Sequence, residues 1–186
     1  NYSWQIGGWD NTPLFEPTVV ATWDGDNGHV FSKEDIELEG TTVHPLHPRD
    51  LGEHLQKHVE NGGVILGHNL MGFDLPVLRD ALDCHYAGQL MKENKEHVID
   101  TSAILRSAGM PVSLGDVCKH TLGISKLMDS ADAPKAWEGG RYQEVAEYCL
   151  KDCQLVYDLL YHGRNEGFVK ARNAQTGIID DIEVMW

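Results

Sequence analysis

Three consecutive apolar residues, Val64-Ile65-Leu66, lie between Asn61-Gly62-Gly63 and Gly67-His68-Asn69. A strand with one wet face alternates polar and apolar residues, and this run does not. It suits a strand buried on both faces of a sheet, and such a strand needs helices above and below it. The flanking sequence supplies them. Leu51, Leu55 and Val59 recur at i, i+4 and i+8, a helix with one apolar stripe that ends at Asn61-Gly62-Gly63. From Arg141 to Tyr161 no proline interrupts, and Val145, Cys149, Val156 and Leu160 share a helical spacing. Between these, Asp74 before Pro76 opens a helix, and Asp100 to Leu105 and Ser113 to Leu122 each start at a capping residue. Thr18 to Trp23 and His29 to Phe31 flank Asp24-Gly25-Asp26-Asn27-Gly28 and read as a hairpin. Residues 125–140 read as loop or short helices, and residues 168–186 as a second hairpin around 173–177. The expected class is α/β.

The 186 residues fit one domain with its own core. With 29 carboxylates against 15 fixed cations the net charge is −14. Such a surface repels a phosphate backbone unless divalent cations or a local cationic track intervene. No run approaches the roughly 20 apolar residues that span a bilayer, so no membrane partner is expected. No secretory leader opens the chain, and the four cysteines (Cys84, Cys118, Cys149, Cys153) do not form a disulfide scaffold at this length. Reduced thiols and a cytoplasmic location follow as the simpler expectation. The sequence starts at Asn1 rather than Met, which reads as a processed product or a piece of something longer.

Two segments can carry chemistry. Directly after the buried strand comes Gly67-His68-Asn69-Leu70-Met71-Gly72-Phe73-Asp74. The C-terminal end of a central strand is where α/β sheets present ligands. Asp74 offers a carboxylate there, Asn69 a polar bridge and Phe73 an apolar plate. The second segment is Tyr148-Cys149-Leu150-Lys151-Asp152, where Tyr148 and Asp152 share one helix face. Each has a plainer reading: Asp74 as a cap for the helix that Pro76 begins, Tyr148 and Asp152 as a solvated face. Cys118, His120, Cys149 and Cys153 could make a zinc site, though close Cys-x-x-Cys knuckles are absent. Asp24 and Asp26 fall in a turn.

Taken together, Asn-x-x-x-Phe-Asp after a buried strand and Tyr-x-x-x-Asp on a later helix resemble the second and third motifs of the DEDDy (DnaQ-like) 3′–5′ exonucleases, whose fold is ribonuclease H-like. Gly7-Gly8-Trp9-Asp10-Asn11, Val98-Ile99-Asp100-Thr101, Ser113-Leu114, Thr121-Leu122-Gly123, Trp137 to Arg141, Gly167-Phe168, Thr176-Gly177 and the terminal Trp186 resemble a narrower group. That group is the YprB-like exonuclease domain found beside DEAD/DEAH-box helicases. The resemblance implies a three-layer fold, with a mixed central β-sheet between helices and a C-terminal β-hairpin. It implies two Mg²⁺ or Mn²⁺ ions about 3.5–4 Å apart. Asp74 and Asp152 are the implied metal ligands and Tyr148 the residue that orients the attacking water. Asn69 and Phe73 would position the terminal nucleotide, with His68 in the same set as a packing or supporting residue. Asp100 would cap a helix near the site. The implied substrate is the 3′ end of DNA, single-stranded or frayed, in a repair or replication context with a helicase.

The family's first motif, Asp-x-Glu on the central strand, should lie just before Gly7, and nothing in residues 1–8 fits it. Three accounts stand: the motif lies upstream of Asn1; it is lost and the domain is a silent binding module; or Asp181-Ile182-Glu183 replaces it by permutation.

Overall fold

The computed structural model describes residues 5–186; residues 1–4, the start of the segment lacking the Asp-x-Glu motif, lie outside the described residues. The chain is mixed α/β. β1 (Val19–Trp23) and β2 (Gly28–Ser32) form the expected antiparallel hairpin, closed where the Asp24 backbone N–H donates a hydrogen bond to the Asn27 carbonyl. The Asp24 carboxylate accepts from the Asp26 and Asn27 amides at 3.0 and 2.7 Å, and these bonds hold its pKa below the usual range. β3 (Thr41–Pro45) adds parallel to the outer edge of β2. The sequence hid this strand, because Pro45 and His44 interrupt any apolar alternation and only an edge tolerates them.

α1 (Pro48–Glu60) buries the Leu51, Leu55 and Val59 stripe and leads to β4 (Ile65–Gly67). A π-helical turn (Leu70–Asp74), α2 (Leu75–Asp80) and α3 (His85–Lys92) follow. β5 (Val98–Asp100) pairs parallel with β4, and α4 (Thr101–Ser107) starts at once. α5 (Leu114–Leu122) and α6 (Ala133–Glu138) precede α7 (Tyr142–Glu166). α7 runs beyond Tyr161 and stops where Gly167 takes a left-handed conformation, φ 78°. β6 (Phe168–Arg172) and β7 (Ile179–Glu183) make the terminal hairpin.

Two apolar clusters sandwich the strands. Leu51, Leu55, Leu75, Leu78, Cys84 and Leu90 form one, with Val20, Ile65 and Val98 packed on it. Leu105, Val117, Leu155, Leu159, Val169 and Ile182 form the other, with Leu66 packed on it. Adjacent residues of a strand face opposite ways. Val20 and Ile65 therefore turn one face of β1 and β4 to the first cluster, while α7 covers the other face.

The described strands form three sheets, β1-β2-β3, β4-β5 and β6-β7, rather than one central sheet. β1 and β4 both lie on α7, yet no described strand joins them. The permutation account fails as well. Asp181 sits in β7, paired along its length with β6, and its carboxylate bonds Lys170 Nζ at 2.6 Å.

Candidate active site

β4 and β5 run parallel with Gly67 opposite Asp100, and that register builds the loop carrying Asp74. The Asp100 carboxylate accepts from the amides of Asn69 and Met71, both at 2.9 Å, and from Ala103 at 3.2 Å. One buried side chain thus pins the loop after β4 and caps α4. Asn69 takes the left-handed conformation, φ 70°, and its side-chain oxygen accepts from Arg106 at 3.1 Å. A Cβ on Gly72 would stand 2.5 Å from that oxygen and would displace the Asn69 side chain from Arg106. The π-helical turn then ends on Asp74, which makes no side-chain cap bond to α2. The capping reading is therefore overturned; the carboxylate interacts with its own backbone amide instead.

Asp74 is exposed as a residue, yet protein crowds its carboxylate. Desolvation pushes its pKa up to about 7, and the negative charges of Asp100 and Asp152 add to the rise. Folding thus tightens proton binding at Asp74. The resulting stability is fully present below the ordinary value of 3.8 and is lost as pH rises through about 7. Asp74→Asn abolishes this dependence, so the variant is expected to exceed the parent in stability at pH 8 by about 1 kcal/mol, after allowing for solvent screening. Melting temperatures of both proteins across pH 4–8 check this; parallel curves would refute it.

α7 delivers the other half. Asp152 and Tyr148 lie one turn apart, and a residue that sequence reasoning missed joins them. Lys126, from the loop after α5, places Nζ 2.6 Å from Asp152 Oδ2 and donates to the Tyr148 hydroxyl at 3.0 Å. Gly115 of α5 leaves room for its stem, since a Cβ there would lie 3.2 Å from Lys126 Cδ. Burial opposes charge on Lys126, but the contacts with Asp152 and Tyr148 outweigh it and raise its pKa. Burial raises the pKa of Asp152, against the pull of Lys126. A contact of 2.6 Å marks the two as an ion pair. Asp152 Oδ1 is buried without a partner among the described residues. Burial pushes Tyr148 up to about 12, so it is a neutral phenol at pH 7.

The other expected residues divide. Phe73 packs edge-on against Trp9 and Phe15, with centroids at 5.3 and 5.2 Å. The widely open ring of this trio is Trp9, 58 % exposed, rather than the half-buried Phe73. Thr12 holds the strand of chain between Trp9 and Phe15 by donating to Asp80 on α2. His68 is corrected from the substrate-binding set. Its Nδ1 lies 3.0 Å from Thr101 Oγ1 and its Nε2 3.0 Å from the Val112 carbonyl, so both ring nitrogens serve the fold. Burial lowers its pKa and keeps it neutral.

The zinc reading is overturned too. Cys118 is fully buried and points at the Leu155 carbonyl, His120 faces Asp116, and Cys153 donates to the Ala21 carbonyl at 3.3 Å. Burial pushes the Cys149 thiol up to about 12, so it stays protonated. Among the described residues no group of three His, Cys, Asp or Glu side chains is assembled to hold a metal.

The donors at Asp74 and Asp152 are hard oxygens. Mg²⁺ is commonly held by one or two carboxylates plus substrate phosphates, so this pair fits one such ion. The unpartnered Asp152 Oδ1 agrees, and Lys126 already supplies a cation to the other oxygen. The pair is too few for the two ions expected.

No protein-family model matches the chain, and no curated protein matches it. Among the described residues no helix is long and apolar enough to cross a membrane.

Proposed function

We propose that this chain is a metal-dependent 3′–5′ exonuclease domain of ribonuclease H-like fold, acting on single-stranded or frayed DNA ends. One arrangement carries the reading: Asp152, tied through Lys126 to Tyr148, lies near enough to Asp74, remote in sequence, for its charge to add to the rise in the Asp74 pKa. The repair or replication setting, a helicase partner and a cytoplasmic location come with the family resemblance alone.

A bound Mg²⁺ or Mn²⁺ would neutralise developing phosphate charge. Asp74 and Asp152 would hold it. Tyr148, a phenol at neutral pH, would orient the attacking water by hydrogen bonding. Lys126 would place a further positive charge against the phosphate oxygens where charge grows. Trp9, Phe15 and Phe73 offer a surface on which a terminal base can stack, and the side-chain amide of Asn69 is free to bond it. The slot between β1 and β4, on α7, is where the reading puts an acidic central strand supplying the missing carboxylates.

The full-length protein is tested on a 3′-labelled and a 5′-labelled oligonucleotide with Mn²⁺ or with chelator. Ladder-like shortening from the 3′ end, only with metal, is expected. Intact strands, or loss of label indifferent to metal, would overturn the assignment. A second reading, a silent module that binds nucleic acid or protein, is favoured by the Lys126–Asp152 pair and by the two-carboxylate set. Retained oligonucleotide binding without shortening supports that reading.

A further inference from the structure

Away from the carboxylate pair, strand alternation gathers unlike residues on the face of β1-β2-β3 that meets α1. Thr22 pairs with His29 and Phe31 with His44, so all four point to the same side. α1 sets His54 among them. The interface is otherwise apolar, built on Phe31, Leu51 and Leu55. Three imidazoles in such a place are unexplained by nuclease chemistry.

Their geometry is specific. His29 Nδ1 and His44 Nε2 stand 3.2 Å apart. Two nitrogens on one tetrahedral zinc, each about 2.0–2.1 Å from it, stand about 3.3 Å apart. The His44 ring lies between His29 and Phe31, stacked on the latter at 4.7 Å, which fixes its plane. His54 approaches His29 at 4.7 Å between centroids and holds Nε2 3.0 Å from Thr22 Oγ1. His29 Nε2, His44 Nδ1 and His54 Nδ1 have no hydrogen-bond partner among the described residues.

We propose that His29 and His44 bind a divalent first-row transition ion of the zinc class, with His54 completing the site on release from Thr22. Imidazole suits Zn²⁺, Co²⁺ and Ni²⁺ and is a poor match for Mg²⁺, so this centre is chemically distinct from the carboxylate pair. Burial, with the neighbouring His29, His44 and His58 acting the same way against the pull of Asp24, lowers the His54 pKa to about 4. In the arrangement described the three imidazoles are not assembled around an ion: the His29 and His44 nitrogens have the spacing one ion needs, and His54, against His29, is held by Thr22. A hydrogen-bonded pair of neutral rings is the competing account.

The test is Co²⁺ titration of chelator-treated full-length protein, with Mg²⁺ in excess to occupy the carboxylates, followed by visible d–d absorption and by melting temperature. About one tight equivalent of tetrahedral Co²⁺, displaced by Zn²⁺, is expected, with a rise in melting temperature. His29→Gln and His44→Gln keep a hydrogen-bonding group in the pair, and each is expected to weaken binding more than about 100-fold, since loss of an outer-shell partner alone costs 10–100-fold. His54→Gln should weaken it less. Absence of the d–d bands in the parent protein, or unchanged affinity in the folded His29→Gln and His44→Gln variants, would overturn the site. Neither result depends on exonuclease activity.

Discussion

Asp152→Asn is expected to slow release of 3′-terminal nucleotides by about 10²–10³-fold or more, with the loss falling on kcat. The amide keeps an oxygen within reach of Lys126, so the tether to Tyr148 survives and the fold is spared. What disappears is negative charge, at the oxygen on Lys126 and at the buried, unpartnered Oδ1. A divalent ion held by Asp74 and Asp152 would lose half its protein charge. Single-turnover rates at saturating Mn²⁺, together with Mn²⁺ affinity by spin resonance, check both consequences. An unchanged rate in a folded variant would remove Asp152 from the chemistry and with it the exonuclease reading.

Leu159→Ala is expected to cost about 3–4 kcal/mol of folding stability, near the middle of the range for large-to-small changes in a packed core. Leu159 is fully buried on α7, in the cluster shared with α5 and the β6-β7 hairpin. Neighbours held by a long helix and a paired hairpin cannot collapse into the space. At about 2–4 °C per kcal/mol for a domain of this size, the melting temperature should fall by roughly 10 °C. Calorimetry decides it; a fall below about 2 °C would mean the cluster is loosely packed. The same helix carries Tyr148 and Asp152, so activity in this variant should decline only as the folded fraction declines.

Local pattern was a good guide where local forces rule. The α1 stripe, the first hairpin, the helix starts at Asp100 and Ser113 and the long α7 all follow from spacing and capping, and all are present. The strand after Asn61-Gly62-Gly63 was also legible, although it is set one residue later, Val64 is exposed and Ile65 to Gly67 are only half-buried rather than buried on both faces. Elements without a periodic signal were missed: β3 is an edge strand ending in proline, and α3 begins at His85 with no capping side-chain bond. Site residues divide along the same line. Asp74, Tyr148 and Asp152 stood in recognisable spacing. Lys126 did not, because a lysine in a polar, glycine-containing stretch looks solvated until tertiary packing brings it onto α7. Trp9 and Phe15 meet Phe73 through tertiary packing that includes the Thr12–Asp80 bond, a contact across 68 positions of chain. The supporting role expected of His68 is filled by partners remote in sequence, Thr101 and the Val112 carbonyl, which the sequence did not name.

The bare flanks of β1 and β4 have a colloidal consequence. Each shows, among the described residues, one edge that no strand pairs, although the Ala21 carbonyl on the β1 edge accepts from Cys153, and neither Val19–Trp23 nor Ile65–Gly67 contains a charged residue to deter a neighbouring molecule. Deterrence must come from the molecule as a whole, whose net charge of −14 repels its own kind. Ionic strength shortens that repulsion to about 10 Å at 0.1 M, so brine brings the sticky flanks within reach of each other.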